Sequence, residues 1–176
     1  KKVVLVDLDI RKGTLSRHFH RHPAGVTNFL ADNSIGVDDI IHAAPGHDNL
    51  DIISSGTVAP NPAELLMDSR LDELVAELRR RYDYIITDNV PVGVVADATI
   101  SNRISDLTIF VVRAGRLDRR QLPDMEELYR ENKLSNMALI LNGVDPRHRG
   151  YGYGYGYGYG YGYGYGYGYG KHRKKK

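Results

Sequence analysis

The chain has no cysteine and no tryptophan, and only three methionines and three phenylalanines among 176 residues. Without cysteine there is no disulfide scaffold and no thiolate to bind a metal or attack a substrate. No apolar run reaches membrane-spanning length, and no signal-peptide pattern is present, so what is here reads as cytosolic. Positive charge is also scarcer than the formal +2 suggests. Setting aside the five Lys and Arg of Lys171–Lys176 leaves 19 basic residues against 22 acidic ones, a net charge of −3 for residues 1–170. A mildly acidic body gives no support for nucleic-acid binding, whereas the extreme end is strongly basic.

Tyrosine and glycine are what the chain has in excess. Ten of its 13 tyrosines alternate strictly with glycine from Tyr151 to Gly170. Glycine at every second position removes side-chain obstruction and leaves the backbone flexible, so neither helix nor strand core is expected there. A Gly-rich tether of this length has an r.m.s. reach of about 25 Å. Two parts follow: residues 1–149, long enough for one domain with a core, and residues 150–176, a disordered Tyr-Gly tail with a basic end. Taken alone, such a repeat is as well explained by aromatic stacking and adhesion as by any chemistry. The basic end can meet anionic lipid, pair with phosphate groups or aid solubility.

Within the first part, apolar runs alternate with helical patterns. Val3-Val4-Leu5-Val6 runs straight into Asp7, then Leu8-Asp9-Ile10-Arg11. Leu50–Ser54, Tyr82–Asp88, Leu107–Val112 and Met137–Leu141 read as further strands, apolar in run and not alternating, the second again ending in an acid. Val26–Leu30 and Val37–Ile41 read as short helices. Pro62 at a first helical position, Asn61 as its cap, Glu64 as a capping-box partner and Arg79-Arg80-Arg81 at the far end define a helix over about 62–81. Its stripe is Leu71, Leu74, Val75 and Leu78. Ala96–Ile104 and Asp118–Asn132 read as helices, the second turning Leu122, Met125, Leu128 and Tyr129 inward. His18, His20 and His22 alternate on a loop and do not converge as metal ligands would. Continuous apolar strands alternating with helices predict an α/β fold: a parallel sheet with helices on both faces.

In such sheets ligands bind beyond the carboxyl ends of the strands, where Asp7, Asp88, Arg113 and Asn142 stand. Asp7 and Asp9 are two apart and share a face on an extended chain. Paired carboxylates repel, and a cation between them relieves that. A strand ending in Asp is also how a Walker B acid holds Mg²⁺, directly or through water. Each acid alone reads equally as a strand-terminal turn residue.

Together these segments resemble the catalytic domain of the bacterial tyrosine kinases (BY-kinases) of the capsular exopolysaccharide family. Val3–Arg11, with Asp-Leu-Asp-Ile-Arg, resembles the Walker A′ motif, and Ile85–Pro91 resembles the Walker B strand and its turn. Ser55–Leu66 resembles the segment between them, and Leu141–Val144 the last strand and turn. The likeness covers roughly residues 1–146, and the Asp-x-Asp-x-Arg motif is its specific part. It implies a P-loop NTPase-like sheet, ATP and Mg²⁺ as cofactors, and tyrosine as phosphoryl acceptor. It implies that Asp7 is the acid nearest the incoming hydroxyl, that Asp9 supports the Mg²⁺ site and that Asp88 holds Mg²⁺ through its water shell. Arg11 belongs to the nucleotide site, and Asn142 lies near the adenine. The phosphoacceptors would be Tyr151, Tyr153, Tyr155, Tyr157, Tyr159, Tyr161, Tyr163, Tyr165, Tyr167 and Tyr169, presented to a neighbour in a ring of subunits. A membrane-anchored chain-length-determinant region or subunit, a cognate tyrosine phosphatase, the cytoplasmic face of the bacterial inner membrane, and a role in polysaccharide export are implied with them.

Two departures stand out. Asn89-Val90 occupies the place where the family usually has Thr-Pro. And no G-x-x-x-x-G-K-[ST] occurs, although that loop carries most of the electrostatic work on phosphate. The family places it just upstream of the Asp-x-Asp-x-Arg strand, so the chain reads as a fragment expected to bind ATP poorly by itself. Two rival readings stay open here: a partitioning-type ATPase switch of the same fold, and a non-enzymatic protein acting through its Tyr-Gly tail.

Overall fold

Val3-Val4-Leu5-Val6 becomes the centre of a sheet because both of its edges find apolar partners. The computed structural model describes residues 1–19, 22–90, 102–134 and 136–144. Strand β1 (Val3–Asp7) lies between β3 (Leu50–Ile53) and β4 (Tyr84–Asp88), parallel to both. The register runs Val3↔Leu50 to Val6↔Ile53 on one side and Val3↔Tyr84 to Asp7↔Asp88 on the other. A short β2 (Ile41–Ala43) closes the edge beyond β3, antiparallel to it, giving the order β2-β3-β1-β4. The parallel strands were expected. The antiparallel edge was not, and the Val37–Ile41 helix proves to be a 3₁₀ turn at Val37–Asp39 running into β2.

Helices α1 (Thr14–His18), α2 (Val26–Ala31), α3 (Pro62–Met67) and α4 (Arg70–Arg81) accompany this sheet. Leu71, Leu74, Val75 and Leu78 of α4 are buried as the stripe requires, in one core with Val4, Val6, Leu8, Ile10, Phe29 and Ile53. The helix expected over 62–81 is broken at Asp68-Ser69. Asp68 is extended (φ −65°, ψ 147°), and its side chain accepts from the Arg70 amide at 2.8 Å. The carbonyls freed at Leu66 and Met67 accept from the Arg103 guanidinium at 3.0 Å each, and the Asp68 carbonyl accepts from it at 3.2 Å alongside the Leu71 amide. One distant arginine therefore does what an in-line cap ordinarily does. Asn61 does not cap the α3 backbone; its amide bonds Glu64 at 2.7 Å instead.

Strands β5 (Ile109–Arg113) and β6 (Ala138–Asn142) pair in parallel as a separate two-stranded sheet. Between them Asp118 caps a 3₁₀ turn at Arg119–Gln121, which leads into α5 (Leu122–Arg130). Of the four residues expected inward on α5, only Met125 is buried; Leu122 and Tyr129 are exposed. The chain divides into two units, Lys1–Gly143 and Val144–Lys176, and all these elements lie in the first. The turn expected at 91–93, most of the helix expected over Ala96–Ile104, His20 and the Tyr-Gly tail with its ten tyrosines lie outside the described residues, although 102–104 are helical. Among the described residues no helix is long and apolar enough to cross a membrane.

Candidate active site

The carboxyl edge of the four-stranded sheet gathers the acids. Asp7 and Asp88 end neighbouring parallel strands in direct register, and the Leu8 amide donates to the Asp88 carbonyl at 2.9 Å. The chain turns sharply after β1. Asp9 drives the turn: its carbonyl accepts from the Lys12 and Gly13 amides at 3.2 and 2.6 Å, and its carboxylate from Lys12 N again at 3.2 Å. Gly13 takes φ +58°, and a Cβ there would strike the Ser55 hydroxyl, so the turn needs glycine twice over.

Asp7 is fully buried. Its Oδ1 accepts from the Asp9 amide at 3.1 Å, and its Oδ2 from the Ser16 amide at 2.8 Å and the Ser16 hydroxyl at 2.5 Å. Three donors thus replace the water that burial removes from this carboxylate. Asp9 is likewise buried, whereas Asp88 is accessible at the strand end. Burial, then the charges of Asp7 and Asp9, push the Asp88 carboxyl above the usual range.

Among the described residues no three His, Cys, Asp or Glu side chains converge closely enough to cage an ion by themselves. Mg²⁺ needs no such cage: it takes one or two carboxylates, keeps several waters and completes its shell with phosphate oxygens. Two open clefts, of about 460 Å³ beside Phe29 and Arg70 and about 610 Å³ beside Tyr129 and Met137, are lined by none of the three acids. His22 stacks on the His42 ring, with centroids 3.5 Å apart, and burial, then the charge of His22, hold the His42 imidazole below its ordinary pKa.

Of the three acids named from sequence, Asp7 and Asp88 are paired in register, and Asp9 lies two residues beyond Asp7 with its carboxylate on the Lys12 amide. Arg11 follows them on the exposed side of the turn. Asn142 ends β6 in the other sheet, opposite Arg113, and its carbonyl accepts from the Ala114 amide at 2.8 Å. The sequence reading missed Ser16 and Ser55. A serine nine residues beyond an aspartate has no pattern to announce it; only the Asp9–Gly13 turn brings it back.

No family model matches the chain. It is 34% identical over 144 residues to tyrosine-protein kinase YwqD of Bacillus subtilis, covering 81% of this chain and 60% of that protein. It is 31% identical over 148 residues to tyrosine-protein kinase CpsD of Streptococcus pneumoniae, covering 82% and 63%. The chain thus spans somewhat under two thirds of the length of these curated relatives. Among solved structures, the BceF tyrosine kinase domain superposes with a TM-score of 0.73 at 35% identity, over 82% of this chain and 57% of that one. The VpsO kinase domain does so at 0.70 and 31%, over 82% of this chain and 71% of that one. The septum site-determining protein MinD of Pyrococcus horikoshii, at 0.59 and 20%, shares the fold alone. With an Asp-x-Asp-x-Arg turn packed beside a second strand-terminal aspartate, and with relatives of this kind over four fifths of its length, the chain belongs to the bacterial tyrosine kinase family.

Proposed function

We propose that the protein containing this chain is an ATP- and Mg²⁺-dependent protein-tyrosine kinase that phosphorylates its own Tyr151–Tyr169 cluster. The observation that carries the reading is the register pairing of Asp7 with Asp88, with Asp9 one turn on. A tyrosine hydroxyl has a pKa near 10 and attacks a phosphoryl group at neutral pH only with a base or a metal to help it. Mg²⁺ would neutralise charge on the transferring phosphoryl group. Asp88, accessible at its strand end, suits a water-bridged contact to that ion. Asp7, buried and fixed, suits an oriented carboxylate facing the hydroxyl, and Asp9 shapes the turn between them. Arg11 and Asn142 would contribute to the nucleotide pocket.

The wider role follows the family resemblance: a ring of subunits exchanging tails, a membrane-anchored chain-length-determinant partner at the cytoplasmic face of the inner membrane, an opposing tyrosine phosphatase, and regulation of capsule or exopolysaccharide export. Each phosphate adds −1.5 to −2 charge, so a filled tail would carry a charge on the order of −15 and drive the ring apart. The test is to incubate the intact polypeptide with ATP and Mg²⁺ and to follow phosphotyrosine. Labelling that requires Mg²⁺ and is lost in Asp88→Ala supports the reading. Equal labelling of Asp88→Ala, or hydrolysis of ATP without any phosphotyrosine, overturns it; the latter would favour an ATPase switch.

A further inference from the structure

We propose that Ser16 is a positioning residue for the Asp7 carboxylate, and that it leaves Asp7 one working lone pair, on Oδ1. For its link to phosphotransfer the inference rests on the kinase reading; its geometry does not. Ser16 is fully buried. Its hydroxyl oxygen accepts from the Ser55 amide at 2.9 Å, and its single proton is then free to go to Asp7 Oδ2, 2.5 Å away. The Ser55 hydroxyl is a more distant neighbour at 3.3 Å. The direction of the chain is thereby fixed: Ser55 N–H to Ser16 Oγ, and Ser16 O–H to Asp7 Oδ2.

The Ser16 amide donates to the same Oδ2 at 2.8 Å, so both lone pairs of that oxygen are taken. Among the described residues Oδ1 receives the Asp9 amide alone, at 3.1 Å. Asp7 is fully buried, so a cation or the proton of an acceptor hydroxyl would have to enter from the strand end, and Oδ1 is the atom it could bind without breaking this set. The anchor is itself braced. The Ser55 carbonyl accepts from the Thr27 amide at 3.0 Å, which ties the first turn of α2 to the relay through backbone that no side-chain substitution removes; the Thr27 hydroxyl, at 2.7 Å, is a second donor to the same carbonyl. The Gly25 backbone lies against Ser54 so closely that a Cβ would strike the Ser54 carbonyl. A carboxylate held by its back oxygen on a packed support presents its front oxygen in one direction, as an oriented metal or proton contact needs.

Ser16→Ala removes the relay and leaves the Ser55 amide unpaired. Thr27→Ala removes an equally buried hydroxyl from the same knot but leaves every Asp7 contact in place, and so measures mere loss of packing. In the intact polypeptide, Ser16→Ala is expected to lower kcat for tail phosphorylation by about 10- to 100-fold and to raise the Mg²⁺ concentration for half-maximal rate by at least about fivefold. The KM for ATP stays within about twofold. Mn²⁺ binding without nucleotide, read by electron paramagnetic resonance, weakens in parallel. Thr27→Ala melts earlier, as Ser16→Ala does, but shifts neither metal readout. Equal metal dependence in the two variants, corrected for folded fraction, would overturn the inference, as would a wild type that binds no Mn²⁺. A wild type that transfers no phosphate would sink the kinase reading instead, and the Mn²⁺ comparison would still decide the role of Ser16.

Discussion

The two sheets are written in the same apolar alphabet and end up in different surroundings. Val4 and Val6 on β1 and Ile53 on β3 are no more than 2% exposed. Ile109 and Val111 on β5, and Leu139, Ile140 and Leu141 on β6, are about half exposed. β4 sits between these extremes. Paired with β1 on one edge, it still leaves Tyr84 and Ile86 more than half exposed. An apolar strand declares that it is built for burial; only its neighbours decide whether burial is achieved. Here the first sheet has its neighbours and carries the acids at its edge, on a rigid frame. The second sheet holds only a small buried set, Val112, Met125 and Leu134, apart from the main core.

Several experiments would sharpen that contrast or break it. The largest effect is chemical. Asp7→Ala should lower tail phosphorylation by about 10²-fold or more, because it removes the oriented carboxylate; a rate assay within tenfold of wild type would contradict this. Next is packing. Leu74→Ala, at 0% exposure, should cost about 2–5 kcal/mol in denaturant unfolding. Leu139→Ala on β6 should stay within about 0.5 kcal/mol. Equal losses would mean that the second sheet is as well packed as the first. Amide exchange should follow the same order, with β1 and β3 protected longest and β5 and β6 exchanging sooner. The 176-residue chain, which contains no G-x-x-x-x-G-K-[ST], should show no saturable ATP binding below about 1 mM in a titration.

The smallest effect concerns Asp88. Its folded-state pKa is raised, so its charged form is penalised above that pKa, and the penalty disappears as pH falls through it toward the unfolded value of 3.8. Asp88→Asn should therefore raise the melting temperature at pH 7 by roughly 1–3 °C, a small figure because the group is solvent-screened. The gap should close between neutral pH and about pH 4. A gap that widens on acidification would contradict the assigned direction.

Strand existence was legible because Val3–Val6, Tyr84–Thr87 and Leu107–Val112 are continuous apolar runs, and α4 was legible because its stripe and its terminal arginines agree. The edge strand β2 was not. Three residues give no period, and Ile41–Ala43 is a strand only because β3 is there to pair with it. The break at Asp68-Ser69 was hidden for the same reason: its freed carbonyls are satisfied by Arg103, 36 and 37 residues away. In the site, the acids were legible because strand-terminal aspartates stand out against apolar runs. Ser16 was not, since its role exists only once the Asp9–Gly13 turn has closed. Nor could apolarity alone show that Leu122 and Tyr129 would lie open.

The most direct test of the central claim is mass mapping of the tail in full-length protein from growing cells. Trypsin should release Gly150–Lys171 as one peptide. The account predicts a ladder of phosphorylated forms of that peptide in wild type and none in Asp7→Ala or Asp88→Ala. An unmodified peptide in wild type, or the same ladder in all three, would contradict it.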